Sequence, residues 1–518
     1  MKNLSSIFLA VSAFLALAVP AQAQEATQSL DARVNEAFAN FTGPFVSFIF
    51  APIPGTSFPW IVMWLVIGAS VFTVYFAAVQ FRFFGHAIGL VKGDYSDPDD
   101  AGEVSHFQAL ATALSGTVGL GNIAGVAVAV GIGGPGATFW MILAGLLGMA
   151  SKFTECTLGV KYRNEYPDGT VSGGPMYYIS KGFDELGLPG GKILAVLFSV
   201  FCILGALGGG NMFQANQAHV QITQITGDYP GWITGLLFAG VVFAVIVGGI
   251  KSIARVTEKV VPFMGIMYVG AALIVLVVNY DLIGWAFGQI FAGAFTGLGV
   301  AGGFVGALIQ GFKRAAFSNE AGVGSAAIAH SAVKTKEPIT EGFVSLLEPL
   351  IDTVVICTMT ALVIIISQQL LIDQATGNYM LNEAGSAIAT VDGNSGVALT
   401  SAAFGSAIGW FPFVLAIAVI LFAFSTMISW SYYGLKAWTY LFGEGKMTEL
   451  VFKIIFCIFV VIGAAANLGP VIDFSDAAIF AMAVVNIFCL YFLMKVVRKE
   501  LNSYSARLKA GEIKKFTH

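Results

Sequence analysis

Charge is what this sequence has least of. Only 11% of its 518 residues are Asp, Glu, Lys or Arg, against about 25% in a soluble globular domain, and 57% are hydrophobic. That balance excludes a soluble enzyme of ordinary design. The net charge of -4 is spread thinly and offers no basic surface to nucleic acid. Cysteine is scarce as well: Cys156, Cys202, Cys357, Cys457 and Cys489 stand singly in apolar runs with no C-x-x-C pair, which argues against disulfides and against a metal centre. No G-x-x-x-x-G-K-[ST] loop is present to bind ATP. The five histidines form no cluster along the chain, and no His/Cys/Asp set falls on one helix face as a membrane enzyme would need. The reading is therefore of a protein that is not an enzyme and has no organic cofactor.

What is present is long apolar runs. The first 23 residues, MKNLSSIFLAVSAFLALAVPAQA, have a basic start at Lys2, an apolar stretch and the A-x-A site Ala21-Gln22-Ala23, and read as a signal peptide; the alternative is an uncleaved first helix. An external amino-terminal segment follows over 24–58. A helix needs roughly 20 apolar residues to cross the hydrocarbon, and such runs fall at 59–84, 106–131, 135–160, 192–215, 231–250, 259–279, 299–331, 342–370, 405–437, 450–467 and 475–497. The fold class is all-α: a polytopic membrane protein of about 11 transmembrane helices. One additional helix (59–84) precedes a first repeat (106–279), a second repeat (299–497) and a cytoplasmic tail (498–518). The apolar segment 283–297 reads as an interfacial helix.

Lysine and arginine concentrate on the cytoplasmic side. With the mature amino terminus outside, all but four of the 26 basic residues fall in inward regions. The exceptions are Lys2, Arg33, Lys313 and Arg314. Loop 371–404 carries acids and no base, as an external loop should. This places a multi-pass protein in the plasma (bacterial inner) membrane with its carboxyl terminus in the cytoplasm.

Two segments stand out. SGTVGLGNIA (115–124) and SNEAGVGSAA (318–327) share Ser115/Ser318, Gly119/Gly322, Gly121/Gly324 and Ala124/Ala327 at a constant offset of 203 residues. The first also fits the G-x-G-x-x-A dinucleotide fingerprint, but that motif needs a strand before it and a βαβ unit around it, and 106–131 is one membrane-length run. Five spans separate the two segments, so they cross in opposite directions, as members of an inverted repeat must. Glycine costs about 1 kcal/mol relative to alanine in a helix, and an opened turn in lipid is tolerated where it lines a cavity. Paired, glycine-interrupted helices at matching positions point to a transporter binding site. Close helix packing is the other use of such glycines, against which the polar Asn122, Ser318, Asn319 and Glu320 weigh.

The motifs also resemble a known family. VGLGN (Val118 to Asn122) is similar to the unwound first core helix of neurotransmitter:sodium symporters. More specifically GTVGLGNIAG, GGPGATFWM (133–141), SGGPMYYI (172–179), GNMFQANQ (210–217) and FSNEAGVGSAAIAHSA (317–332) resemble the alanine/glycine:cation symporter family, over about residues 60 to 495. Ile142 departs from that family's usual tryptophan. The resemblance implies a five-plus-five inverted repeat with discontinuous first and sixth core helices and one extra helix. It also implies sodium-coupled uptake of alanine or glycine, sometimes with glutamine or D-amino acids accepted.

Roles can then be assigned. A zwitterionic substrate needs donors for its carboxylate, which freed N-H groups around Gly119, Gly121 and Asn122 can supply. It needs acceptors for its ammonium, for which carbonyls near Phe317, Ser318 and Asn319 serve. Thr117 and Gly322 complete the set lining the two breaks. Gln214 is either a third contact or an interhelical hydrogen bond; Phe317 either caps a small side chain or only packs. Sodium, the coupling ion, wants neutral oxygens. Ser425 and Thr426 in FSTMISW resemble the sodium ligands of the neurotransmitter symporters, with carbonyls matching Ser115 and Val118; the alternative is that both hydroxyls bond their own helix. Lys313, Arg314 and Glu320 are intramembrane charges, read as pairing with one another across the opened turn; the alternative is that Glu320 carries a proton or touches the ion. Glu155, Glu348 and Asp352 read as solvated or paired near cytoplasmic span ends. The expected partners are a small neutral amino acid, sodium and membrane lipids. A proton-coupled carrier or an exchanger of the same fold and, below these, a channel are the competing functions.

Overall fold

The computed structural model describes residues 30–95, 100–167, 169–296, 303–373, 378–513 and 515; the signal-peptide reading of 1–23 lies outside them. Its first helices are α1 (Leu30–Ile49) and α2 (Trp60–Tyr75). The second is shorter than the 59–84 run because Ala77 and Ala78 both take left-handed φ of 52°, which L-residues rarely sustain in a helix. A short helix α3 (Phe84–Val91) follows.

The first interrupted run is α4 (His106–Thr117) and α5 (Val126–Gly133), bent by 49°. A capping box starts α4: Ser105 accepts from the Gln108 N-H while the Gln108 side chain accepts from Ser105, satisfying two orphan donors at once. Then come α6 (Gly136–Lys161), a two-residue antiparallel pairing of β1 (Asn164–Glu165) with β2 (Val171–Ser172), and α7 (Pro175–Glu185). Helices α8 (Gly191–Leu207) and α9 (Phe213–Thr226) are joined by a π-helical turn at Gly208–Met212. Next are α10 (Gly231–Ile246), α11 (Gly249–Val278) and α12 (Tyr280–Thr296).

The second interrupted run is α13 (Gly303–Asn319) with the short α14 (Ala326–His330). It is followed by α15 (Pro338–Ser345), a turn at Leu347–Pro349, a π-helical stretch Leu350–Cys357 and α16 (Thr358–Ile366). Proline at the first position of α15 costs no hydrogen bond, since that N-H has no helical acceptor. The chain closes with α17 (Val397–Ala407), α18 (Phe411–Phe442), α19 (Lys446–Ala465) and α20 (Leu468–Lys509).

Among the described residues, seven helical stretches are long and apolar enough to cross a membrane, and the bent α4–α5 pair makes eight. Apolar side chains such as Leu237, Val241, Ile266 and Val277 point outward from α10 and α11, which suits a surface facing lipid rather than water. Inside, small residues let backbones touch. A β-carbon on Gly136 would overlap the backbone of Gly293, and one on Gly311 would overlap Trp140 and Ala137, the close approach that membrane helices use in place of a hydrophobic driving force. The segment before α4 is tied to the one after α14 by the buried Arg163. Its guanidinium donates to the carbonyls of Ala101 (2.8 Å), Ser331 (3.0 Å), Val333 (2.6 Å) and Thr335 (3.2 Å).

Candidate transport site

The two breaks open differently and meet. Val118 ends α4 with ψ of 83°, and the chain re-enters helix through a π-helical turn at Gly121–Gly125. The second break is made by left-handed residues: Glu320 (φ 56°), Gly322 (φ 83°) and Gly324 (φ 91°). Glycine takes that conformation freely. Glu320 does not, and is fixed by hydrogen bonds from Ser325 Oγ and from Trp430 Nε1 (2.9 Å). A β-carbon on Gly121 would lie 3.4 Å from Ser318 Cα, so the two breaks are about one methyl group apart there.

One acid joins them. Asp352 Oδ1 accepts from Asn122 Nδ2 at 2.6 Å, and its Oδ2 accepts from Ser318 Oγ at 2.8 Å and Thr353 Oγ1 at 2.7 Å. Asn319 Nδ2 donates to Thr353 Oγ1 at 2.9 Å. Thus Asn122, Ser318 and Asn319 are turned toward Asp352 and Thr353.

On the other side of the breaks is a cavity of about 10 Å³, the room of a single water. Thr117, Gln214, Phe317, Glu320, Trp430 and Ile479 wall it, and Gly116, Gly121 and Gly209 fill the gaps between them. Gln214 reaches both ways: its Oε1 accepts the Leu120 N-H (3.1 Å) and its Nε2 donates to the Gly209 carbonyl (2.9 Å). The Gly119 N-H donates to Asn122 Oδ1 at 2.9 Å. Two of the N-H groups freed by the break are therefore satisfied by side chains. Phe317 packs edge-on against Phe213, centroids 5.2 Å apart.

Neutral oxygens gather beside the first break. Ser115 Oγ donates to the Ser425 carbonyl (2.6 Å), Thr426 Oγ1 donates to the Ser115 carbonyl (3.0 Å), and Ser429 Oγ lies 2.9 Å from Ser115 Oγ. Ser425 Oγ bonds back to the Phe422 carbonyl at 3.0 Å. A β-carbon on Gly119 would overlap Thr426 Oγ1, so this residue must be glycine for α18 to approach. Val118, between Ser115 and Gly119, is buried with them.

The chain from residue 44 to 518 matches the sodium:alanine symporter family. The sodium/alanine symporter AgcS of Methanococcus maripaludis is 39% identical over 443 residues, covering 85% of this chain and 93% of that protein. The chain belongs to the sodium:alanine symporter family. The probable sodium/glutamine symporter GlnT of Bacillus subtilis is 34% identical over 79% of this chain and 80% of that protein. Among solved structures, MhsT in complex with L-phenylalanine aligns with a TM-score of 0.52 at 15% identity, covering 74% of this chain and 88% of that one; this likeness is one of fold. Membership carries sodium-coupled amino-acid symport by a multi-pass membrane protein, with Na+ as coupling ion.

For this member of the family, one expected pairing is corrected. Lys313 and Arg314 do not pair with Glu320. Both meet Asp476 of α20, Lys313 at 2.9 Å. They lie on the last turns of α13, whereas Glu320 stands past its end, where the left-handed backbone aims it at Trp430. Lys152, grouped by sequence with the inward loops, is fully buried and pairs with Glu348 at 3.0 Å. His106 and His330, remote in sequence, share Glu341. Asp352, read as near a span end, joins the two breaks. Trp430, Ile479 and Gly209 were not named from sequence. Trp430 had a signal, standing one helical turn after Thr426 on the same face of FSTMISW; Asp352 had one too, as an ionisable residue within a span. Gly209 and Ile479 had none.

Proposed function

We propose that this symporter carries a small neutral amino acid, alanine or glycine, into the cell with sodium by alternating access, and that the substrate binds in the cavity between the breaks. The observation that carries this reading is the cavity itself. As it stands the cavity has room for one water only, so the walls must part to admit a substrate; a lining of three glycines closed in by Trp430, Phe317 and Ile479 favours a side chain no larger than a methyl group when they do. Thr117 and Gln214 supply polar contacts, and seating a substrate carboxylate requires Gln214 to release the Leu120 N-H. Sodium is assigned to the Ser115 and Val118 carbonyls with the hydroxyls of Ser425 and Thr426, where hydrogen bonds among neutral oxygens would give way to the ion. Gly119 touches both places, since it abuts Thr426 and Gln214, so filling one site is felt at the other.

The five-plus-five inverted repeat is supported by matched helix starts: Gly136 for α6 and Pro338 for α15, close to the 203-residue offset of the two breaks. The helices are compatible with 11 crossings when each interrupted run is counted once, α2 is included and α12 and α17 are left out, and the distribution of basic residues supports a carboxyl terminus in the cytoplasm. One sodium entering contributes about 2.3 kcal/mol per 100 mV, enough to drive accumulation without ATP.

A sodium-dependent binding and uptake screen across small amino acids, in proteoliposomes, tests the reading. Alanine or glycine uptake that vanishes in choline buffer is the expected result. A second reading, proton coupling through Glu320, rests on its place in the cavity wall with neutral partners only. Undiminished uptake in choline that a proton ionophore abolishes would establish that reading instead.

A further inference from the structure

Five titratable side chains outside the transport site form one buried row where α4 begins, α14 ends and α15 begins. His106 opens α4, Lys152 sits on α6, His330 closes α14, Glu341 is on α15, and Glu348 is in the turn that follows. None is more than 3% exposed. His106 Nδ1 lies 2.5 Å from Glu341 Oε2, and His330 Nδ1 lies 2.6 Å from Glu341 Oε1. His330 Nε2 lies 2.5 Å from Glu348 Oε1, whose other oxygen accepts from Lys152 Nζ at 3.0 Å.

Geometry fixes the proton count. A neutral imidazole has one N-H and one lone pair, yet both ring nitrogens of His330 face carboxylate oxygens. A lone pair cannot accept from an oxygen without hydrogen, so one extra proton is held among His330, Glu341 and Glu348. With His106 neutral and donating through Nδ1, the row is then balanced: Lys152 and the imidazolium against two carboxylates. Losing the proton would leave a net negative charge and an acceptor facing an acceptor, which a dry interior does not tolerate.

Among the described residues, no other acid or base makes a hydrogen bond or ion pair to the two histidines and two glutamates of the row. Glu155 and Cys156 face the row from α6, and Cys156 Sγ is within 4.8 Å of the ligand atoms of His330 and Glu348. Arg163 holds the carbonyls of Ser331 and Val333. Tyr433 comes from α18, Glu320 from the second break, and His86 of α3 lies across Phe343. Every contact in the row joins different elements: α4 to α15, α14 to α15 and its turn, α6 to that turn.

We propose that this row is a proton-binding site coupled to the opening of the cytoplasmic end. The proton is held while α4 and α14 rest against α15 and passes to water when they swing away. The inference rests on the alternating-access reading above. Its sign follows from linkage: the closed form binds one more proton, so rising pH favours the open form and opposes any ligand that favours closure.

The test uses purified full-length protein in weakly buffered detergent with a pH indicator. Adding sodium and alanine together should draw up to one proton per protein from solution, and alanine in choline should draw none. Alanine affinity should fall with rising pH, by at most about tenfold per unit for one linked proton. His330→Gln and Glu341→Gln should each flatten both signals while keeping sodium-dependent binding. Sodium-dependent alanine binding by the wild-type protein with no proton uptake anywhere between about pH 5 and about pH 8, the range over which an imidazole changes charge, overturns the proposal alone. Proton uptake of undiminished size in both folded variants also overturns it. If sodium-dependent binding is itself absent, the transport reading falls first and this one with it. Should the variants fail to fold, the wild-type proton count decides.

Discussion

Two sets of buried acids divide this molecule. Glu341, Glu348 and Asp476 each face a basic nitrogen: His106 and His330, Lys152 and His330, Arg314 and Lys313. Asp352 and Glu320, at the two breaks, are as deeply buried but meet only neutral donors, Asn122, Ser318 and Thr353 for the one and Ser325 and Trp430 for the other; Glu155 of α6, away from the breaks, likewise meets only the Asn486 amide among the described residues, at 3.0 Å. A carboxylate in a dry interior needs a countercharge or a proton. Where the protein supplies the countercharge permanently, the charge belongs to the framework. Where it does not, the acid is left for something that comes and goes: sodium, an ammonium group or a proton.

The sharpest way to break this contrast is on the framework side. Asp476→Asn leaves the guanidinium of Arg314 buried without its acid, and removal of one partner of a buried pair costs about 3 to 5 kcal/mol. A large fall in thermal stability in detergent is expected, with sodium affinity unchanged in the protein that survives. An equal loss of stability from Asp352→Asn would erase the distinction between the two sets. Next in size is Gly119→Leu, which drives a side chain into Thr426 and Gln214. Overpacking of this kind costs about 1 to 3 kcal/mol and falls where both ligands are assigned, so uptake should drop to background while the elution profile stays that of folded protein.

On the site side, Asp352→Asn keeps the shape and an acceptor for Ser318 and Thr353 but removes the charge. Asp352 is outside the assigned sodium shell and acts through the breaks it joins, so the expected outcome is a rise of several-fold in the alanine concentration that half-saturates uptake, with a loss of stability smaller than that of Asp476→Asn because only the Asn122 contact loses its acceptor. Thr426→Ala removes one neutral oxygen, and a single such contact is worth about 0.5 to 1.5 kcal/mol. Its sodium curve should shift by several-fold at most. An unmoved curve would take Thr426 out of the ion's shell.

What the sequence makes legible is local. Glycines inside a membrane-length run, adjacent hydroxyls at Ser425 and Thr426, and the matching starts of α6 and α15 are readable because each depends on a few consecutive residues. Of the adjacent hydroxyls, Ser425 bonds its own helix at Phe422 while Thr426 reaches the Ser115 carbonyl. The partners are what the sequence withholds. Periodicity says which face of α13 carries Arg314, not that Asp476, 162 positions away, will be opposite. Trp430 reaches Glu320 across 110 positions, and the direction of Glu320 depends on a left-handed backbone angle that no residue preference announces. The π-helical turns at Gly208–Met212 and Leu350–Cys357 likewise leave no periodic trace, because one extra residue in a turn shifts the register after it. Lys152 was misplaced for the same reason: its burial is set by Glu348, which returns to α6 only through the tertiary fold.

The smallest expected effect completes the comparison. Arg507, on the extension of α20, pairs through both terminal nitrogens with the two oxygens of Glu337, each at 2.6 Å. This two-point geometry is better formed than the contact of Arg314 with Asp476, yet the two side chains are 37% and 34% exposed. Water already solvates such charges, so Glu337→Gln should cost less than about 1 kcal/mol, and less again in high salt. A cost matching that of Asp476→Asn would mean that geometry and not burial sets the strength of ion pairs here. The permanent countercharges of the interior would then no longer explain why Asp352 and Glu320 are without them.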